Sequence, residues 1–357
     1  MTEPTKSQEY SREEVGLALR NHGIHLEGLR YPVTPVGMHY LLIHYDIPFL
    51  DATSYELPVG GLVRNPLRLT LDDLKTRPAV TVPVVMECSG NGRAHLYPRP
   101  VSAPWREEAV GCAEWTGTPL RPILQEAGLL DEAVEVVFSG HDRGVEGGVE
   151  QDFERSLPLE DALDDGVMLA YGMNGGPLPP QHGFPLRLIV PEWYGMASVK
   201  WLKEIRAISE PFEGFQQTDR YRHKQSEEDH GTPMTRKNPH ALMVPPGIPD
   251  YLSRVRHVRA GRTLVEGRAW SGWAPVERVE FSPDGGRTWD AAALGEPIGH
   301  YAWRPWSYEW DAEPGEHELC VRATDASGRT QPTDNDEAWN YGGYGANVVQ
   351  RVPVMVD

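Results

Sequence analysis

The run Val84-Val85-Met86-Glu87-Cys88-Ser89-Gly90-Asn91-Gly92-Arg93 sets a cysteine where a Val-rich segment gives way to a loop of Gly and Asn. Residues 81–86 are apolar and alternate poorly, which predicts a strand buried on both faces. Glycine in the loop lets backbone N–H groups approach a ligand closely. Arg93, five residues on, would lower the thiol pKa and hold an anion nearby. Taken alone, these residues leave several readings open. Cys88 is a small buried thiol closing a strand, a thiolate facing a ligand, or a hydrolase nucleophile. The last needs a His base, and the spacing places none beside it.

Composition narrows the setting. A chain of 357 residues has room for two domains, and 39% hydrophobic residues suffice for real cores. The formal net charge is −18, a surface that repels phosphate backbones and anionic lipid, so neither nucleic-acid nor membrane-surface binding is expected. An anionic substrate must then find a local basic pocket against the global field. The N-terminus is polar with no apolar signal core, and no apolar run is long enough to span a bilayer, which predicts the cytoplasm, or the periplasm if translation starts upstream. Cys88, Cys112 and Cys320 are widely spaced, with neither a disulfide framework nor a zinc, haem-attachment or iron–sulfur pattern.

The elements that must position Cys88 follow from periodicity. A short helix with an acidic first turn is predicted over 71–75, a second helix in Pro119-Leu120-Arg121-Pro122-Ile123-Leu124, and strands in 81–86 and 134–138. The polar, Pro-containing stretch 218–249 reads as a linker or excursion. Beyond it, 262–268, 276–281, 306–310 and 317–323 alternate at period two and are separated by turn signals such as Pro283-Asp284-Gly285-Gly286. About seven short strands without helices predict an immunoglobulin-like sandwich. The fold class expected is therefore α+β: a mixed α/β catalytic domain over 1–235, followed by an all-β sandwich over 236–357.

A second motif is longer. It runs Tyr171-Gly172-Met173-Asn174-Gly175-Gly176-Pro177-Leu178-Pro179-Pro180-Gln181-His182-Gly183-Phe184-Pro185-Leu186-Arg187-Leu188-Ile189-Val190-Pro191 and continues through Gly195-Met196-Ala197-Ser198-Val199-Lys200-Trp201. With the Cys88 loop, it resembles the sulfite oxidase family of molybdopterin enzymes, which includes assimilatory nitrate reductases, and the likeness extends over essentially the whole chain. The resemblance implies a molybdenum held by a pterin dithiolene and by one protein thiolate, Cys88, a soft-donor set suited to that metal. It implies that Arg187 and Lys200 neutralise the pterin phosphate, with His182 donating and the backbone N–H groups of Ser198 and Val199 assisting. Asp142 then matches the acidic residue that hydrogen-bonds the pterin ring. The run Tyr40 to His44 matches a further cofactor-contacting segment. Singly, each has a plainer reading, such as an exposed strand Arg187, a solvated Lys200, a loop His182 or a turn-capping Asp142.

On the substrate side the resemblance assigns Arg93 to anion binding, Trp105 to the active-site wall and Tyr221 to a hydrogen bond near the reacting oxygen. Two further arginines that it implies fall on Leu42 and about Gly342. Arg99, Arg106 and Arg143 are candidates to compensate. The expected reaction is oxygen-atom transfer, foremost the oxidation of sulfite to sulfate. The alternatives are reduction of nitrate or of an N- or S-oxide, and a binding or scaffold chain without redox activity. The resemblance also implies a homodimer through the sandwich. No haem segment is recognisable, so the electrons are expected to leave for an external acceptor such as a c-type cytochrome, another redox protein or dioxygen.

Overall fold

The computed structural model describes residues 10–357. The reading of a polar N-terminus without a signal core rests largely on residues outside that range. No helix among the described residues is long and apolar enough to cross a membrane.

Helices are few and short, and sheets do the positioning. One five-stranded sheet has the order Leu67–Thr70, Glu56–Gly61, Leu202–Ile208, Glu135–Glu146, Val149–Pro158, antiparallel except where Glu56–Gly61 pairs parallel with Leu202–Ile208. A second antiparallel sheet joins Val80–Glu87, Val110–Pro119, Met168–Met173 and Gly176–Pro177, with Arg187–Ile189 also pairing Met168–Met173. The expected helices form at Leu71–Lys75 and Leu120–Ala127. Thr70 caps the first through a reciprocal bond with Asp73, and the second turns its buried Leu120, Ile123, Leu124 and Ala127 onto the core at helical spacing.

The strand leading to Cys88 explains its own composition. Val84 and Met86 pack in one core cluster with Trp115 and Ile189. Val85 points the other way, into a second cluster with Leu242, Trp270 and Trp303. Both faces are dry at that end, so the residues run Val-Val-Met instead of alternating.

The C-terminal part is a β-sandwich. Its four-stranded sheet runs His240–Met243, Gly261–Trp270, Arg304–Ala312, Ala293–Leu294, and its six-stranded sheet runs Ile248–Pro249, Arg256–Val258, Gln350–Val356, Gly315–Asp325, Val276–Ser282, Asp290–Ala291. Val265, Val279, Phe281, Trp306, Trp310 and Val321 fill the space between them. The sheets carry ten strands against the seven expected, because two-residue pairings such as Asp290–Ala291 leave no periodic trace. The stretch 218–249 is more structured than a linker. It holds the hairpin Arg222–His223 with Thr232–Pro233 and then the sandwich strand His240–Met243, whose four residues are all buried.

Candidate functional site

Cys88 sits at the end of its strand and is 6% exposed. Its sulfur accepts the Gly90 N–H at 3.4 Å, and the Trp105 side chain lies beside it. Burial raises the thiol pKa, while the Arg93 guanidinium and the Gly90 N–H oppose that shift. The loop is fixed by Asn91, whose side-chain oxygen accepts Ala109 N–H at 3.0 Å and whose amide donates to Glu87 at 3.0 Å. Gly92 has φ +81, and a Cβ there would stand 2.1 Å from the Ala346 carbonyl oxygen, so only glycine fits.

Two cavities meet at this sulfur. The inner one is lined by Tyr40, His44, Cys88, Asp142, His182, Arg187, Ser198, Lys200 and Tyr221 among others. The outer one, about 220 Å³, is lined by Cys88, Arg93, Trp105 and Tyr344 among others, and shares Leu42, His44 and Tyr221 with the inner cavity. Of the twelve residues singled out from sequence, Val199 alone reaches neither cavity. Its side chain is in the core, and its N–H donates to the Ala197 carbonyl at 3.1 Å. The Ser198 N–H is likewise engaged, by Gly195 O at 3.1 Å. The expected pair of amide donors is thus spent inside the tight turn at Gly195–Ala197, and Ser198 contributes through its position on the wall.

The inner cavity gathers two buried basic side chains, Arg187 and Lys200, neither in a salt bridge among the described residues. Burial lowers Lys200 to about 7, and Asp142 nearby opposes that. Arg187, 3% exposed, donates to the carbonyls of His182 and Ser198, each at 3.0 Å, and lies over the Trp115 ring at 4.7 Å. Its Nε has no partner. Burial lowers its pKa to about 10, which leaves it a cation at neutral pH. Lys200 donates to Leu42 O at 2.8 Å and Gln181 O at 3.3 Å. Asp142 lies at an irregularity between the strands Glu135–Glu146 and Val149–Pro158, which re-aims its side chain toward the cavity, and its Oδ1 is buried without a partner. Burial raises the Asp142 carboxyl, and Lys200 nearby opposes the rise. His182 and His44 are pushed far down by burial, so both rings are neutral.

The substrate-side reading changes more. Tyr221 holds φ +52 and hydrogen-bonds His44 Nε2 through its hydroxyl, an unusual backbone state for a tyrosine on a cavity wall. The compensating arginines proposed from sequence do not line either cavity at Cys88. Arg99 pairs with Glu14, Arg143 pairs with Glu150 and Asp152 at the surface, and Arg106 lines separate depressions. Gly342 lies further out, in a wide depression with Arg99 and Lys224. Sequence reasoning missed His39, Arg155, Arg220 and Tyr344. Arg155 is 1% exposed and sits over the Tyr221 ring at 5.5 Å; Arg93 sits over Tyr344 at 5.0 Å; the two tyrosine rings are 5.2 Å apart. Nothing in the local sequence signals this stack, since its members are separated by up to 251 positions, from Arg93 to Tyr344.

The residues fit an anionic, metal-bearing cofactor. The unpartnered Arg187 Nε, Asp142 Oδ1 and His39 Nε2 belong to residues lining one cavity, and each is costly unless a polar group fills it. No group of three His, Cys, Asp or Glu side chains among the described residues could hold a metal ion by itself. A metal at Cys88 must therefore arrive with most of its ligands already attached.

Comparison with known proteins agrees. The sequence model described as "Oxidoreductase molybdopterin binding domain" matches residues 44–216, and "Mo-co oxidoreductase dimerisation domain" matches 248–357. Sulfite oxidase of Gallus gallus is 33% identical over 328 residues, covering 87% of this chain and 70% of that one. Mitochondrial sulfite oxidase of Macaca fascicularis is 33% identical over 341 residues, covering 91% of this chain and 62% of that one, so this chain spans under two thirds of its length. The crystal structure of the sulfane dehydrogenase SoxCD from Paracoccus pantotrophus superposes with a TM-score of 0.80 over 100% of this chain and 95% of that one, at 24% identity, which establishes a common fold.

Proposed function

This chain belongs to the sulfite oxidase family of molybdopterin oxidoreductases, and from that premise we propose that it oxidises sulfite to sulfate by oxygen-atom transfer at a molybdenum bound to Cys88. The observation that carries the reading is the meeting of two cavities at one thiol, with the basic side chains Arg187 and Lys200 on the cofactor side and Arg93 on the other.

The bound cofactor would supply an oxygen-accepting and oxygen-donating metal that takes up two electrons per turnover. The chain's own residues do the rest. Arg187 and Lys200 hold the terminal phosphate, and Asp142 accepts from the pterin ring. Arg93 binds and orients the substrate anion beside the sulfur, and Trp105 narrows the space for water. Tyr221 and the neutral His44 hold a proton between hydroxyl and imidazole nitrogen on the same wall. Sulfite and water become sulfate, two protons and two electrons, the electrons passing to an external one-electron acceptor such as a c-type cytochrome. The sandwich provides the surface of a homodimer. Reduction of an N- or S-oxide is the second reading, favoured by Leu42 on the cavity wall where the resemblance implies an arginine.

Steady-state assay of molybdenum-replete protein with sulfite and ferricyanide is the test. Saturable ferricyanide reduction is expected. Negligible reduction, together with consumption of an N- or S-oxide under a reductant, would replace the first reading by the second.

A further inference from the structure

The outer cavity at Cys88 has an unusual charge balance. Arg93 is 3% exposed, has no ion-pair partner among the described residues, donates to Ala103 O at 3.2 Å and leaves its Nε unpartnered. The other cation on the wall, Arg220, is neutralised by Glu146 at 2.7 Å, which lines the same cavity. One positive charge thus faces the substrate. The remaining wall mixes apolar Leu17, Leu42, Ile43 and Val145 and the rings of Trp105 and Tyr344 with neutral polar side chains such as His44, Ser102, Gln216 and Tyr221.

A dianion there would keep half its charge without a cationic partner, with only neutral groups to offset its partial desolvation. A free oxyanion of four heavy atoms would also leave part of the cavity to water beside the apolar side chains of its wall. A singly charged anion with an apolar substituent satisfies both conditions. Arg93 meets one oxygen. Trp105, whose indole lies beside the Cys88 sulfur, is a neutral donor on the same wall. Tyr344, held against Arg93 at 5.0 Å and Tyr221 at 5.2 Å, is the platform for the substituent.

We propose that this cavity takes an organic sulfinate, a sulfur oxyanion of single charge carrying an alkyl or aryl group, with Tyr344 as the residue that sets this specificity. The proposal rests on the oxygen-transfer reading above. In the reaction a new sulfur–oxygen bond forms with oxygen drawn from water, the carbon–sulfur bond stays intact, and sulfinate plus water yield sulfonate, two protons and two electrons. The electrons leave to the same external one-electron acceptor.

Binding and turnover are measured separately on protein of known molybdenum content. Calorimetric titration compares ethanesulfonate, the product analogue, with sulfate. Ethanesulfonate is expected to bind at least about tenfold more tightly. Tyr344→Ala should remove most of that advantage, Tyr344→Phe should keep it, and Leu42→Arg should invert the order by placing a second cation on the wall. Ethanesulfinate should reduce ferricyanide with a higher kcat/KM than sulfite. Sulfate binding as tightly as ethanesulfonate in the parent protein overturns the proposal, and if sulfite is still oxidised the parent reading stands. Selective ethanesulfonate binding that depends on Tyr344, with neither sulfite nor sulfinate oxidised, upholds the cavity's preference and overturns the reaction instead.

Discussion

At the scale of single residues, the site is defined by groups that the protein leaves incomplete. Arg187 is buried with carbonyls and the Met86 thioether as acceptors and no carboxylate. A guanidinium is seldom left so unless an anion comes to it. Cys88 follows the same logic, because its sulfur receives the Gly90 N–H and faces two cavities instead of packing shut. Substituting oxygen for sulfur tests whether softness matters. Cys88→Ser should fold normally and keep much of the pterin while losing turnover of sulfite almost completely. Metal analysis, pterin fluorescence and the ferricyanide assay read the three effects separately. Wild-type turnover in that variant would remove Cys88 from the chemistry.

At the scale of elements, the loop 88–93 is rigid because other segments complete it. The Gly345 N–H donates to Ser89 O at 2.6 Å, and Gly92 lies against the Ala346 carbonyl. The segment before the last sandwich strand therefore clamps the cysteine loop, and it also delivers Tyr344 to the outer cavity. Gly92→Ala combines a left-handed backbone with a Cβ that has no room, and it should destabilise by about 2–4 kcal/mol or displace the loop. Denaturant unfolding gives the first. A loss of molybdenum retention gives the second. A variant with unchanged stability and metal content would show that the clamp does not position the loop.

At the scale of the whole molecule, the two parts share a polar core directly beneath Cys88. Glu87, 2% exposed, accepts from Asn91 of its own loop at 3.0 Å and from His240 at 2.9 Å and Trp270 at 2.8 Å, both on sandwich strands. Removing the carboxylate leaves three buried donors unmatched, so Glu87→Ala should cost about 3–5 kcal/mol. Because the lost bonds tie the sandwich to the cysteine loop, molybdenum content should fall with stability, as thermal unfolding and metal analysis on one preparation would show. An unchanged midpoint would mean that the Glu87 carboxylate does not tie the two parts together. The sequence by itself determined the buried strand to Cys88, the short helices, the alternating strands of the sandwich and the order of the cofactor-facing motifs. The elements are local patterns, set by periodicity, turn chemistry and residue type over a few positions, whereas the cofactor-facing motifs were legible through the family resemblance. It also named Arg93, Trp105 and Tyr221, yet it sought the remaining cations at Arg99, Arg106 and Arg143, all of which lie elsewhere. Only the tertiary structure decided that Arg220 and Tyr344 line the outer cavity with Arg155 behind Tyr221, that Glu146 cancels the Arg220 charge, and that the Val199 side chain packs in the core. Ion pairing, ring stacking and the aim of an amide depend on which distant segments meet, and no spacing along the chain encodes that.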